Sequence, residues 1–145
     1  MTKLQKLMDT LLADTYALYL KTQNYHWHVR GPNFKALHEL FEVQYTNLAD
    51  AVDDIAERIL TNGYKAPATF SEFNALKSIK DGNSALSSND MVKELARDND
   101  QLVNDLNQAM LAAQESNDEG TIALLSERIA AHEKARWMLS ASQEG

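Results

Sequence analysis

The chain is short, acidic and free of cysteine. It has 145 residues, of which 44% are hydrophobic and 24% are charged, and its formal net charge is −7. This length predicts a single domain spanning residues 1–145, and the composition is that of an ordinary soluble protein, which we expect in the cytoplasm. The lack of cysteine excludes disulfides, thiolate zinc sites and cysteine nucleophiles. No apolar run approaches the length that crosses a bilayer, so no membrane partner is expected.

Helical periodicity dominates the first half of the chain. Apolar side chains recur at helical spacing in the first 25 residues, and this helix is expected to end near Val29 because a Gly-Pro pair follows. Asn33 is expected to cap a second helix. That helix should end at Gly63.

The second half contains a short helix and two further long ones. The segment YKAPATFSEFNAL indicates a loop with a short helix, and the turn-rich segment KDGNSALSSND follows it. A third long helix is expected at about 90–117, capped by Ser88 or Asn89, and a fourth from about Gly120 to Ala141. Four amphipathic helices with one long link predict an all-α, ferritin-like four-helix bundle. The short helix lies in the crossover between helices 2 and 3.

The second helix has a polar face separate from its apolar stripe. With 100° per residue and His38 at zero, the apolar stripe centres near −70°, and four polar residues lie between about 0° and +100°. They are His38, Glu42, Asp53 and Glu57. Each i, i+4 pair can share one metal, but the two pairs are about 16 Å apart on a straight helix, too far for one centre. Either the pairs are unrelated, or a second copy of the helix completes each centre.

An antiparallel pair of copies would bring the two halves together. With a two-fold axis near the middle of the helix, His38 and Glu42 of one copy meet Asp53 and Glu57 of the other, which gives two identical sites per dimer. His26, at the end of the first helix, would complete each site beside His38. Two imidazoles with several carboxylates suit iron, zinc or manganese rather than a calcium cage. The opposing interpretation is a solvated charged face, the ordinary role of carboxylates at this spacing.

The stretch HWHVRGPNFKALHELFE, followed by DAVDDIAERI, closely resembles the Dps family, the small dodecameric ferritins. The family pattern is a His-Trp pair, Arg-Gly, an aromatic residue, Leu-His, an acid four residues later and a distant Asp-x-x-x-Glu. All of its elements are present in register, and the helix-four segment LLSERIAAHEKARWML extends the resemblance across the chain. The matching residues are His26, Trp27, Arg30, Gly31, Phe34, Leu37, His38, Glu42, Asp53 and Glu57.

The resemblance implies a di-iron ferroxidase centre between two subunits, with His26, His38 and Glu42 from one chain and Asp53 and Glu57 from the other. It implies a hollow homo-oligomeric shell, a dodecamer built from two-fold dimers. Such a shell oxidises Fe(II), preferably with hydrogen peroxide, stores ferric mineral and protects the cell from oxidative stress. Most relatives have Asp at position 42, so the longer arm of Glu42 keeps the charge but changes its reach.

Three further residues have less definite roles. Trp27 is expected to be a packing aromatic at a subunit interface, and the resemblance adds a role in absorbing stray oxidising equivalents. His28 points away from His26 on a helix. His132 is expected to be an ordinary surface or interface histidine on the fourth long helix.

The route of iron entry is expected near the start of the fourth long helix. Relatives line a three-fold pore there with acids, and this chain offers Asp118 and Glu119. Many relatives carry a further acid where this chain has Ala123. We therefore expect a less acidic or differently lined pore.

Two alternatives are a DNA-compacting scaffold with secondary metal chemistry and a bundle of purely structural role. DNA-binding relatives carry a flexible basic tail that neutralises phosphates. The first helix here begins almost at once with only Lys3 and Lys6 nearby, and the chain ends in SASQEG. Twelve chains of −7 each would carry about −84, which repels a duplex. DNA binding is therefore expected to be negligible.

Overall fold

The regular structure is entirely helical over residues 1–144, the range that the computed structural model describes. The helices are α1 (Lys3–His28), α2 (Phe34–Thr61), α3 (Phe70–Leu76), α4 (Ser88–Glu115) and α5 (Glu119–Ala141). The predicted all-α bundle with a short helix in its crossover is confirmed. Within the same range, none of the helices combines the length and the apolar character needed to span a bilayer.

Side-chain contacts show that neighbouring long helices run antiparallel. Between α1 and α2, His26 stacks on His38 and Tyr19 packs on Tyr45, so residue numbers fall along one helix as they rise along the other. Contacts between α1 and α4, between α4 and α5 and between α2 and α5 show the same antiparallel arrangement. Consequently α2 and α4 run in the same direction, and the chain must return along the whole bundle between them.

Residues 62–87 make that return, and α3 packs against α1 on the way. The segment after α3 is held by Asp14 of α1. The Asp14 carboxylate accepts hydrogen bonds from the N–H groups of Ser78 at 2.6 Å and Ile79 at 3.1 Å, and from the Ser78 hydroxyl at 2.8 Å. One buried side chain thereby satisfies backbone donors that a crossover loop would otherwise leave unpaired.

The core is formed where the apolar stripes of the four long helices meet. Its largest fully buried side chains are Leu11, Leu12, Leu18, Tyr25, Phe41, Ile55, Ile59, Met91, Leu95, Leu102, Leu106 and Leu125. Because this stripe occupies only one face of α2, the polar face of the helix stays exposed.

The ends of α2 differ in how well they match the prediction. Gly63, with φ +90°, ends the helix as expected, because this left-handed conformation suits glycine. Asn33 occupies the N-cap position, but its side chain makes no capping hydrogen bond. Its amide donates instead to the Glu144 carboxylate at the far end of the chain.

The start of α4 corrects a second capping prediction. Neither Ser88 nor Asn89 caps the helix. Ser87 does, because its backbone is extended and its Oγ accepts the N–H of Asp90 at 3.1 Å. Three serine or asparagine residues in a row made the position ambiguous in the sequence.

Candidate metal centre

The end of α1 and the start of α2 bring three metal-binding side chains together. His26, His38 and Glu42 each offer a ligand atom, and these atoms lie within 4.8 Å of one another. The two imidazole rings stack with centroids 3.8 Å apart and planes inclined by 13°. Nε2 of His26 lies 3.7 Å from Oε1 of Glu42. We call this group the histidine half-site.

Backbone carbonyls orient both rings of the histidine half-site. Nδ1 of His26 lies 2.7 Å from the carbonyl oxygen of His38, and Nδ1 of His38 lies 2.7 Å from that of His26. A carbonyl oxygen can only accept, so each Nδ1 carries the proton and donates it. In the neutral ring this tautomer leaves the lone pair on Nε2, which is the form in which histidine binds metals.

Aromatic rings pack around the two imidazoles. Phe34 stacks on His38 with centroids 4.9 Å apart, and Tyr45 meets His26 edge-on at 5.2 Å. His26 is only 6% exposed. The Glu42 side chain is 59% exposed. The half-site thus combines a rigid imidazole pair with a carboxylate that can adjust to an ion.

A second group of possible ligands lies further along α2. Asp53, Asp54 and Glu57 are exposed, and their ligand atoms lie within 4.8 Å of one another. We call this group the acidic half-site. Asp54 was not among the predicted ligands, because it lies outside the polar face as we drew it. Its i, i+3 spacing from Glu57 is the signal that could have indicated it.

The two half-sites do not meet within one chain. Glu42 and Asp53 are eleven residues apart on the same helix, which corresponds to about 16 Å. Each half-site therefore offers at most three side chains and is open on the outer side of α2. An ion that needs both imidazole and several carboxylate ligands cannot obtain them from a single copy.

The other two histidines lie outside both half-sites. His28 is exposed, and its Nδ1 lies 2.8 Å from the carbonyl oxygen of Asn24. His132 is 2% exposed, so the prediction of a surface or interface histidine is wrong. Burial, together with the nearby charge of Arg128, lowers the pKa of His132 to about 3. This histidine is neutral and belongs to the interior between α4 and α5.

The acids at the start of α5 are not equally free. Asp118 caps the helix by accepting the N–H of Thr121 at 3.2 Å, and it pairs with Nη2 of Arg58 at 2.7 Å. Although burial opposes it, hydrogen bonds from these two residues and from Asn62 lower the pKa of Asp118. Asp118 is therefore engaged within its own chain, and Glu119 is the more available acid for a pore. The pore itself stays a prediction.

Comparisons with known proteins agree with the fold. A family model described as a ferritin-like domain matches residues 5–144. The DNA protection during starvation protein of Brevibacillus brevis is 39% identical, with 99% of each chain covered. The crystal structure of a Dps protein from Bacillus brevis superposes with a TM-score of 0.92 at 37% identity, covering 97% of each chain.

A second solved structure names the chemistry of the superfamily. The Dps protein from Vibrio cholerae O1 has a TM-score of 0.92 and 34% identity, covering 96% of this chain and 87% of its own. It is described as a member of a broad superfamily of ferritin-like diiron-carboxylate proteins. The chain therefore belongs to the ferritin-like family and, within it, to the Dps proteins.

Proposed function

We propose that this protein oxidises Fe(II) at di-iron centres shared between two copies of the chain and stores the ferric product inside a closed shell. The observation that carries the proposal is the division of the ligands. One exposed side of α2 bears an imidazole-rich half-site and a purely acidic half-site, and neither is a complete centre. An antiparallel pair of α2 helices would complete both centres at once.

The proposed ligands are His26, His38 and Glu42 from one chain with Asp53 and Glu57 from its partner. Their chemistry suits iron oxidation because carboxylate oxygens stabilise Fe(III) more than Fe(II), which makes the bound ion easier to oxidise. Hydrogen peroxide is the proposed oxidant. It accepts one electron from each of two Fe(II) ions together with two protons, and it leaves as two water molecules. Pairing the irons thus avoids a one-electron reduction that would release hydroxyl radical.

Exposed aromatic side chains support assembly of many copies. Trp27, Phe70 and Trp137 are 59%, 81% and 65% exposed on the single chain. Aromatic side chains are enriched at the interfaces between proteins. We propose that the copies form two-fold dimers, and that six dimers form a dodecameric shell around the mineral. A solution mass other than that of twelve chains at neutral pH would contradict this assembly.

Subunit mixing tests the shared centre directly. His38→Ala removes a ligand from one side of every centre, and Asp53→Ala removes one from the other side, so each variant alone should oxidise Fe(II) slowly. In a hybrid dimer one centre lacks both residues and the other is intact. About half of randomly paired dimers are hybrids, so roughly a quarter of all centres should recover after dissociation and reassembly.

The control for the mixing experiment is a pair of variants with defects in the same half-site. His38→Ala mixed with Glu42→Ala should recover nothing, because every centre still lacks a ligand. Reassembly is checked by mass in both mixtures. If the His38→Ala and Asp53→Ala mixture stays as slow as its components, each centre does not draw on two chains.

A further inference from the structure

Away from both half-sites, α5 carries a buried arginine with no carboxylate beside it. Arg128 is 6% exposed. Its Nη1 donates to Oδ1 of Asn47 at 2.8 Å, and its Nη2 donates to Nε2 of His132 at 3.1 Å. Its Nε is buried and has no hydrogen-bond partner within residues 1–144. In the same range, Arg128 takes part in none of the ion pairs closer than 4.0 Å.

Both partners of Arg128 are neutral. Asn99 donates its amide to the carbonyl oxygen of Leu95 at 2.8 Å, so its Oδ1 faces Nδ1 of His132 and accepts that proton. His132 is thereby left with a lone pair on Nε2, which accepts from Arg128. Burial lowers the pKa of Arg128, and the carboxylates of Glu127 and Asp54 oppose this only from a distance.

Burying a guanidinium away from a carboxylate is unfavourable, because the charge loses its hydration and gains no close opposite charge. The amide of Asn47 and the imidazole of His132 supply hydrogen bonds but no negative charge. The carboxylates of Glu127 and Asp54 act on Arg128, but neither forms an ion pair with it within 4.0 Å. An anion placed next to the guanidinium would therefore be stabilised.

The guanidinium lines a cavity in which such an anion would fit. The cavity lies between α2 and α5 and has a volume of about 140 Å³. A space of this size holds a molecule of about six heavy atoms, such as benzene. Its polar wall consists of Gln44, Asn47, Asn99, Arg128, His132 and Lys134, and the remaining wall is apolar. Lys134 is exposed and adds a second positive charge to the lining.

We propose that this cavity binds a small oxyanion, for which inorganic phosphate is the probe, with Arg128 as its charge partner. Arg128 contributes its charge to the lining, and Lys134 contributes a second one at the exposed side. The small volume of the cavity favours an anion of the size of phosphate over a nucleotide.

This oxyanion site is separate from the proposed iron centres. At 100° per residue, Leu40, Val43 and Asn47 lie about 140° to 200° round α2 from His38. The cavity therefore lies on a different side of the helix from His38, Glu42, Asp53 and Glu57, whereas Asp54, at about 160°, lies on the cavity side. The inference does not depend on the proposed function, and an antiparallel dimer formed through the metal face would leave the cavity open.

Phosphate binding to the assembled full-length protein tests the inference. Equilibrium dialysis with radiolabelled phosphate, at ionic strength held constant with chloride, should show saturable binding of one phosphate per chain. Arg128→Gln should lower the affinity at least tenfold. The matched control is Arg136→Gln, because Arg136 lies on the same helix but is exposed and pairs with Asp100. Both variants keep the half-sites, so phosphate bound to residual ferric iron is the same in each.

A second variant keeps the test decisive if Arg128→Gln fails to fold. Ala131→Leu places a larger side chain in the cavity and leaves the guanidinium in place. It should keep the helical circular dichroism spectrum and lose phosphate binding. The inference is overturned if the unaltered protein shows no saturable phosphate binding. It is equally overturned if the folded Ala131→Leu protein binds phosphate as tightly as the Arg136→Gln control.

Discussion

At the scale of single residues, the histidine half-site is notable for its reciprocal hydrogen bonds. Each imidazole donates to the backbone carbonyl of the other histidine, at 2.7 Å in both directions. The main chain therefore holds both rings and selects their tautomers before an ion arrives, which is the role usually played by a neighbouring carboxylate. Glu42 has no comparable support and supplies the negative charge that the two neutral rings lack.

The first prediction concerns this carboxylate. Glu42→Gln keeps the shape of the side chain but removes its charge, so it should weaken Co²⁺ binding by about tenfold or more, the effect that even an outer-sphere partner can have. Titration followed by visible absorption of Co²⁺ measures the affinity. Glu39→Gln is the matched control, because Glu39 is exposed on the same helix and outside the half-site. Equal affinities in the two variants would remove Glu42 from the ligand set.

Single residues also show what the sequence could and could not predict. The grouping of His26, His38 and Glu42 followed from a helix break next to an i, i+4 pair, since these are local features. His132 was misjudged because Asn99, which accepts its Nδ1 proton, lies 33 residues away on α4, and a hydrogen bond between helices leaves no pattern in one helix. Arg128 was missed for the same reason. Whether the grouped residues act as ligands is a prediction that the experiments above address.

At the scale of helices, the contact between α1 and α4 contains a shared proton. The Asp105 carboxyl of α4 lies beside Asp14 of α1, and burial together with this neighbouring carboxylate raises the pKa of Asp105 to about 8. Gln101 donates to Oδ1 of Asp105 at 3.1 Å. Because the oxygens of Asp14 already accept three hydrogen bonds from the crossover, the proton resides on Asp105. The Asp105 proton thereby links α4 to Asp14 of α1, and Asp14 in turn holds the crossover.

The second prediction is a pH dependence of stability. The pKa of Asp105 is higher in the folded protein than its ordinary value of 3.8, so the folded state binds more protons. The stabilisation by this proton is complete below about pH 4 and is lost as the pH rises to about 8. Asp105→Asn keeps a donor at every pH. Its stability relative to the unaltered protein should therefore increase from pH 5 to pH 8 in urea denaturation.

The control for that measurement is Asp100→Asn, an exposed position on the same helix. Its stability relative to the unaltered protein should not rise with pH in the same way. Protein concentration is held fixed, because assembly shifts apparent stability. A constant difference between Asp105→Asn and the unaltered protein would show that no proton is shared.

Helix boundaries were predictable to within about two residues because Gly, Pro and capping residues act locally. The topology was predictable for a related reason, since only one of the links is long enough to cross the bundle. The docking of that link was not predictable. It depends on Asp14 reaching Ser78 and Ile79, which lie 64 and 65 residues away, and such pairings have no periodic signal.

At the scale of the whole molecule, the negative net charge decides whether the protein can bind DNA. The chain carries −7, and both half-sites place further carboxylates on the outside of α2. The sequence left a DNA-compacting scaffold open as the alternative function. A surface of this net charge repels the phosphate backbone of a duplex.

The third prediction follows from this charge. The purified protein should not retard plasmid DNA at about 0.15 M salt without divalent metal ions, because no net neutralisation of phosphates is available. Gel electrophoresis measures the retardation. The matched control is the same chain with an added oligolysine tail, which should retard the plasmid under identical conditions. Retardation by the unmodified protein would favour the DNA-compacting role.

The antiparallel arrangement of the helices has a consequence for the order in which the chain folds. His26 and His38 are 12 residues apart, whereas Tyr25 and Glu94, which join α1 to α4, are 69 apart. Closing the longer loop is less favourable by about 1.6 kcal/mol of chain entropy. We therefore expect two local hairpins, α1–α2 and α4–α5, to form early and to dock afterwards. The proton shared by Asp14 and Asp105 lies in the surface that docks last, so alkaline conditions should speed unfolding more than they slow the formation of either hairpin.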